Sequence, residues 1–203
     1  MNAELIEAFK TTPTAVISDN LERLPGAVGL RPFHKSGSLA GPAFTVRVCA
    51  GDNLFIHKAL DLVEPGAVIV VDGGGDTSRA LIGEIIVTIA KARKVAGFVV
   101  DGAIRDVGAI AKDNFPCFAR GVIHLGPYKN GPGEIGVPVT IGGMIVNPGD
   151  LVVGDEDGVV AFPASRAEEI LKLVRGQERR EEAIMKSVAD GTYAGAYAKP
   201  AQT

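Results

Sequence analysis

VIVVDGGGDTSRALIGEIIVTIAKARKVAGFVVDGAIRD, residues 68–106, carries the pattern that decides the fold. Two short apolar runs, 68–71 and 97–100, each end in Asp-Gly. Both runs are continuous and rich in β-branched residues, as strands buried on both faces are. Between them, residues 77–93 place Leu81, Ile82, Ile85, Ile86, Ile89 and Ala90 on one side of a predicted helix. A strand, a helix and a strand at this spacing predict a βαβ unit with parallel strands and a right-handed crossover. Ligands bind beyond the carboxyl ends of such strands. The loops 73–78 and 102–106 are therefore expected to face each other across a crevice. The first loop is expected to feed a helix N-terminus, which favours an anion.

The glycine-rich loop does not read as a nucleotide cradle. A dinucleotide fingerprint has a third glycine where Ser78 stands, and a triphosphate loop has the Gly-Lys-Ser/Thr that is absent here. A small carboxylate suits the loop better. Arg105 and Asp106, read alone, are an ion-pair partner and an N-cap for a helix over 107–112, and Glu84 is a solvated helix residue. Their spacing favours more. The chain between Glu84 and Arg105 runs through one helix and one strand and returns to the same sheet end. An arginine grips a carboxylate or keto oxygen. One Asp, completed by waters and substrate oxygens, suits Mg²⁺ or Mn²⁺.

Outward from this unit, short helices are expected over 3–10 and 14–21, the second capped by Thr14 after Pro13. Residues 24–29 read as a turn-rich link and 43–49 as a strand. A helix over about 52–62 takes Asp52 or Asn53 as its cap. Residues 115–120 read as a strand. The loop 121–136 is long and rich in Gly and Pro, which points to a functional flap or an oligomer contact. Strands at 138–141, 144–146, 151–154 and 159–162 are separated by Gly-Gly, Pro-Gly-Asp and Asp-Glu-Asp-Gly turns, a β-meander pattern. Ser165 to Glu168 reads as a capping box. It opens a long helix to about 188, with Ile170, Leu171, Val174, Ile184, Met185 and Val188 on its apolar side. The small, polar residues from 191 onward read as a loose tail. The whole is one α/β domain.

Charge and composition narrow the function. Twenty-one basic against 24 acidic residues leave a net charge of −3, which argues against a general nucleic-acid surface. Trp is absent and aromatics are few, so stacking platforms for bases are not expected. The basic run 166–180 is interleaved with Glu168, Glu169 and Glu178, as on a solvated helix face. No apolar run reaches membrane-spanning length and the N-terminus has no signal-peptide core, so a cytoplasmic location is expected. Cys49 and Cys117 lie in apolar segments and read as small buried side chains. His57 reads as a structural histidine; His34 and His124 are assigned no metal. Asp72 and Asp101 are expected to hold loops, and Asp155 and Asp157 to form a hairpin turn. Arg120 reads equally well as a surface charge or as a group reaching the crevice.

The stretches GPAFTVRV, GDNLFIHKAL, PGAVIVVDGGGD, ALIGEIIVTIAKARKVAGFVVDGAIRD, FPCFARG, GGMIVNPGD and GDEDGVVAFP follow one another along most of the chain. In them the sequence resembles the class II, metal-dependent 4-hydroxy-4-methyl-2-oxoglutarate/4-carboxy-4-hydroxy-2-oxoadipate aldolases. That family also includes the regulator of ribonuclease E activity, once mislabelled a menaquinone methyltransferase. The resemblance implies an α/β sandwich like the swivelling phosphohistidine domain, assembled as a homotrimer or homohexamer with sites at subunit interfaces. It implies that Asp106 holds the divalent metal and Arg105 binds substrate, with the backbone at Gly83, Glu84, Ile85 and Ile86 also in contact. Glu84, where the family has Asp, would orient or deprotonate a water at the metal. The implied reaction is retro-aldol cleavage to pyruvate, with oxaloacetate decarboxylation through the same enolate. Glu178 or Glu182 of a neighbouring subunit is a candidate assisting acid. The rival reading is a non-catalytic protein that binds ribonuclease E. A methyltransferase is disfavoured, since no adenosylmethionine glycine loop is present.

Overall fold

The computed structural model describes residues 2–23 and 26–195. Residues 24–25 of the expected link and 196–203 of the expected tail lie outside that range. The chain opens with helices α1 (Ala3–Phe9) and α2 (Thr14–Asp19), then strands β1 (Arg31–Pro32) and β2 (Leu39–Val48) and helix α3 (Leu54–Leu62). The central unit holds β3 (Val68–Asp72), β4 (Ala80–Ile82), α4 (Glu84–Ala92) and β5 (Gly97–Ile104). Helix α5 (Val107–Asp113) and strands β6 (Cys117–Val122), β7 (Gly133–Ile135), β8 (Val139–Ile141), β9 (Met144–Val146), β10 (Leu151–Gly154) and β11 (Val159–Phe162) follow. A 3₁₀ turn, Ala164–Arg166, leads into α6 (Ala167–Ala189).

The main sheet runs β1-β6-β5-β3-β2-β10-β11, with β4 added beside β5 and β7 beside β2. Strands β2, β3, β5 and β6 are parallel neighbours, and β1, β7, β10 and β11 pair antiparallel. The two-residue period of the buried strands assigns their side chains to opposite layers. Ile69 and Val71 of β3, with Phe98 and Val100 of β5, face a core completed by α3, α4 and α5. Val68, Val70 and Val99 face the other way, against Val139, Ile141, Met144 and Val146 of the β8–β9 hairpin. A third cluster joins α1, α2 and α6 to β10 and β11. The expected α/β sandwich is what forms.

The single helix expected over 77–93 does not form. Ala80–Ile82 is a strand, parallel to the end of β5. Strand β5 pairs with β3 only through Asp101, so its last residues need another backbone partner on that side. Strand β4 supplies it. Gly83, at φ −156° and ψ −166°, is extended, and the helix begins at Glu84. Leu81 and Ile82 are buried as strand residues, while Ile85 is 71 % exposed rather than on the inner side.

Other expectations shift for similar reasons. The four late strands do not form one meander: β8 and β9 are a separate hairpin, and β10 pairs with both β11 and β2. Asp72 and Asp101 hold that hairpin, accepting from Thr140 N at 3.2 Å and Gly142 N at 2.7 Å. Arg120 is a partly exposed ion-pair partner beside Gly75; its Nε pairs with the buried Asp101 Oδ1 at 2.5 Å. Cys49 is exposed, whereas Cys117 is buried and its thiol is pushed up to about 12. Ser165 makes no capping bond, because a 3₁₀ turn precedes α6. Ile170 and Val174 of α6 are buried, but Ile184, Met185 and Val188 are exposed in this chain.

Thr14 does not cap α2 with its own side chain. Asp155, in the β10–β11 turn, accepts from Thr14 N at 2.7 Å and Thr14 Oγ1 at 2.6 Å, and from Asp157 N at 3.0 Å. Thr14 and Asp155 are both buried, so removing the carboxylate strands two donors. Asp155→Ala is expected to cost about 2 kcal/mol, read as a lower urea midpoint with unchanged slope.

Candidate active site

Strand β5 and helix α4 meet at a cleft with about 100 Å³ of room for water-sized molecules, lined among others by Gly83, Ile85, Ile86, Arg105 and Asp106. Arg105 leaves β5 with its N–H donating to Ile82 O at 3.0 Å. Asp106 then takes the left-handed region at φ 56°. That turn aims its carboxylate away from α5, for which it makes no capping bond. Asp106 Oδ2 instead accepts from Glu84 N at 3.0 Å, so the residue caps α4. Helix α4 leaves the Ile85 and Ile86 N–H groups without intrahelical acceptors, beside the cleft.

Gly83 is required by close approach rather than by conformation. A Cβ there would stand 2.5 Å from Asp106 Oδ2, 3.0 Å from Arg105 Cγ and 3.2 Å from Arg105 Nε. The Arg105 guanidinium is itself lightly held: its contact with Asp106 is 3.7 Å, and both side chains are about two-fifths exposed. Glu84 contributes its backbone to this cluster. Its side chain is exposed and is not among those lining the cleft.

The opposite wall comes from α3 and the long loop after β6. Asp52 pins that loop, accepting from Asn130 N at 2.5 Å and Gly131 N at 3.1 Å with Oδ2, and from Leu54 N at 2.9 Å with Oδ1. Burial opposes the charge on Asp52, but these three N–H groups and the nearby Lys129 outweigh it and lower its pKa. Arg79 stacks over the Tyr128 ring at 4.0 Å and donates to Gly126 O at 2.8 Å. The loop thereby brings Pro127 and Lys129 to the cleft, beside Asn53 and His57. Lys129 Nζ lies 3.1 Å from His57 Nε2. Burial first, and then Lys129, lower the His57 pKa; Asp61 opposes them weakly.

Sequence reasoning took His57 for a structural residue and Asn53 for a cap, and gave Lys129 no role. The length and composition of the loop were the one available signal. The glycines 73–75 do not line the cleft; Gly73 N and Gly75 N bond to Asp101 O instead. Glu178 is tied to Arg175 at 2.7 Å within its own helix, and neither it nor Glu182 lines the cleft.

The cleft lining offers a metal ion one carboxylate, that of Asp106. Asp106 Oδ1 accepts no hydrogen bond among the described residues, and no three His, Cys, Asp or Glu side chains converge among them. A lone carboxylate beside free backbone amides fits a hard divalent cation that keeps most of its waters, and not a closed zinc cage.

Comparison with known proteins places this architecture. The family model described as RraA-like, Aldolase/RraA, matches residues 14–161. The chain belongs to this family. A member from Halalkalibacterium halodurans, named "Putative 4-hydroxy-4-methyl-2-oxoglutarate aldolase", is 41% identical over 94% of this chain and 91% of its own length. A similar fold is seen in an uncharacterized protein from Pseudomonas syringae pv. tomato. It has a TM-score of 0.85 and 28% identity, over 94% of this chain and 91% of that one. Streptomyces coelicolor RraAS2, described as an unusual member of the RNase ES inhibitor RraA family, superposes with a TM-score of 0.80. Its identity is 29%, over 90% of this chain and 96% of that one.

Proposed function

We propose that this protein is a divalent-metal-dependent lyase that cleaves a 4-hydroxy-2-oxo acid of the 4-hydroxy-4-methyl-2-oxoglutarate type, releasing pyruvate, and that also decarboxylates oxaloacetate. The observation that carries this reading is the convergence of Arg105, Asp106 and the unpaired amides of Ile85 and Ile86 on one small cleft. The name of the Halalkalibacterium relative supports the substrate class.

In this reading Asp106 holds the Mg²⁺ or Mn²⁺, which when bound supplies Lewis acidity toward the 2-oxo acid. The Ile85 and Ile86 N–H groups receive the substrate carboxylate, as helix starts favour anions. The Arg105 guanidinium, free of any tight ion pair, faces the C2 oxygen and stabilises the charge it gains. Loss of the proton from the 4-hydroxyl and cleavage of C3–C4 leave a carbonyl product and the pyruvate enolate. The enolate is then protonated at C3. The exposed Glu84 carboxylate takes the hydroxyl proton through a water and returns one in the second step. Oxaloacetate reaches the same enolate by losing CO₂. The exposed Ile184, Met185 and Val188 of α6 support self-association as a homotrimer or homohexamer.

Pyruvate release from 4-hydroxy-4-methyl-2-oxoglutarate and from oxaloacetate is expected to fall to background after chelation and to return with Mg²⁺ or Mn²⁺. Full activity in chelator would sink the metal-dependent reading. Similarity to RraAS2 favours one alternative, a regulator that binds ribonuclease E. Capture of purified ribonuclease E by a protein that turns over neither acid would select it.

A further inference from the structure

The Arg105 guanidinium is placed without being bonded. Among the described residues it donates no hydrogen bond, and its nearest carboxylate oxygen, Asp106 Oδ2, is 3.7 Å from Nε. A long, part-exposed side chain in that state has many rotamers open to it, and holding one costs entropy. Here shape restricts the choice. A Cβ at Gly83 would stand 3.0 Å from Arg105 Cγ and 3.2 Å from Nε. A Cβ at Gly126 would stand 3.2 Å from Nη1 and, its chain neighbours aside, would meet nothing else within 4 Å. The stem of Arg105 thus runs along the Gly83 backbone, and its tip abuts Gly126.

The start of α4 fixes the Gly83 end. The Gly126 end depends on Arg79, which the proposed reaction does not use. Arg79 Nη1 donates to Gly126 O at 2.8 Å and Nη2 to Tyr128 Oη at 2.8 Å, while the guanidinium stacks over the Tyr128 ring at 4.0 Å. The Arg79 stem packs on Gly51, where a Cβ would stand 3.1 Å from its Cδ. Gly51 O in turn accepts from Tyr128 N at 2.8 Å, and Ala80 N donates to Leu125 O at 2.9 Å. One half-buried arginine, with no ion pair among the described residues, therefore clamps residues 126 and 128 to the start of β4. The position suits Arg and not Lys, whose ammonium cannot bridge two acceptors and stack at once.

We propose that Arg79 is a positioning residue for Arg105: by holding Gly126 it sets where the Arg105 guanidinium stands in the cleft, without itself touching substrate. The proposal rests on the reading above, in which Arg105 stabilises the charge gained by the C2 oxygen. Without Arg79, Gly126 O loses its donor and the Tyr128 ring its cation. The backbone at 126 then moves, and Arg105 regains the rotamers that Gly126 excluded. A misplacement of about 1 Å in a positioned group costs on the order of a hundredfold in rate. Ala80 N and Gly51 O still hold the loop at Leu125 and Tyr128, so the displacement is smaller and the expected loss is about tenfold.

Calorimetric titration in Mg²⁺ with oxalate tests this without turnover, since oxalate carries a full charge where the pyruvate enolate gains one. Arg79→Met and Gly126→Ala are each expected to weaken oxalate binding, and to lower kcat for pyruvate release, about tenfold. Gly126→Ala keeps every Arg79 bond, and Gly126 is not at positive φ, so this variant is expected to fold even where Arg79→Met does not. In an Arg105→Met background each change should weaken oxalate by less than about twofold, because the group it places is gone. A merely structural role would weaken binding equally in both backgrounds. That result, or unchanged oxalate binding in the two single variants, would overturn the proposal. If the backgrounds differ but the wild type releases no pyruvate from any 4-hydroxy-2-oxo acid, the positioning role stands and the aldolase reading falls. If pyruvate is released yet the changes act alike in both backgrounds, the positioning role falls alone. A wild type that neither binds oxalate nor releases pyruvate overturns both.

Discussion

Asp106→Asn is expected to reduce pyruvate release about a thousandfold, with little change in melting temperature. The residue sits in the left-handed region at φ 56°, which Asn tolerates better than other non-glycine residues. The amide oxygen can still accept from Glu84 N, so the cap on α4 is kept. What is lost is the negative charge that, in the proposed function, holds the divalent ion. Metal stabilisation of a developing enolate is worth several kcal/mol, and each 1.4 kcal/mol is about tenfold in rate. Asp106→Ala loses the same charge but adds strain, since Ala is disfavoured at positive φ; its stability should drop by about 1 kcal/mol. The pair separates chemistry from folding. Undiminished turnover in Asp106→Asn, measured at saturating Mg²⁺, would remove Asp106 from the metal site.

Gly83→Ala should be nearly as damaging to activity and yet cost only about 1 kcal/mol of stability, that of the lost cap on α4. At φ −156° the backbone admits any residue, so no conformational penalty applies. The new Cβ would stand 2.5 Å from Asp106 Oδ2, closer than real contacts allow. The carboxylate is the end of a partly exposed side chain and can swing away cheaply. In doing so it gives up Glu84 N and, in the proposed function, carries the metal position with it. Arg105 Cγ and Nε, at 3.0 and 3.2 Å from that Cβ, are displaced too. A shift of about 1 Å in a positioned group costs on the order of a hundredfold in rate. Kinetics set beside a thermal melt decide the matter. A large loss of melting temperature would mean that Gly83 serves the core, and unchanged kinetics would mean that the cluster is not catalytic.

The two substitutions test neighbouring residues of very different legibility. The β-branched runs before Asp72 and Asp101 mark strands because such residues suit a doubly buried sheet, and both strands form. Arg105 and Asp106 follow the second run directly, so their place at the sheet's carboxyl end needed no tertiary knowledge. The helix start was not legible. Leu81, Ile82, Ile85, Ile86 and Ile89 fit a helical period, and nothing local says that the first two belong to a strand. The length of β5 decides that, by offering β4 an open edge. The same displacement puts Gly83 against Asp106.

The second wall was further from view. Lys129 and His57 are 72 positions apart, and no spacing pattern links them. Their meeting depends on Asp52 gathering the amides of Asn130 and Gly131, and on Arg79 stacking over Tyr128. Each of these is a long-range bond that a periodicity cannot encode.

By itself, then, the sequence determined the parallel core strands and the strand end that bears Arg105 and Asp106, because apolar runs and β-branching act locally along the chain. Only the tertiary structure decided that Asp106 caps α4 rather than α5, that Gly83 must lack a side chain, and that Lys129 faces the cleft. Those outcomes depend on how elements distant in sequence share edges, donors and space, and packing alone sets that.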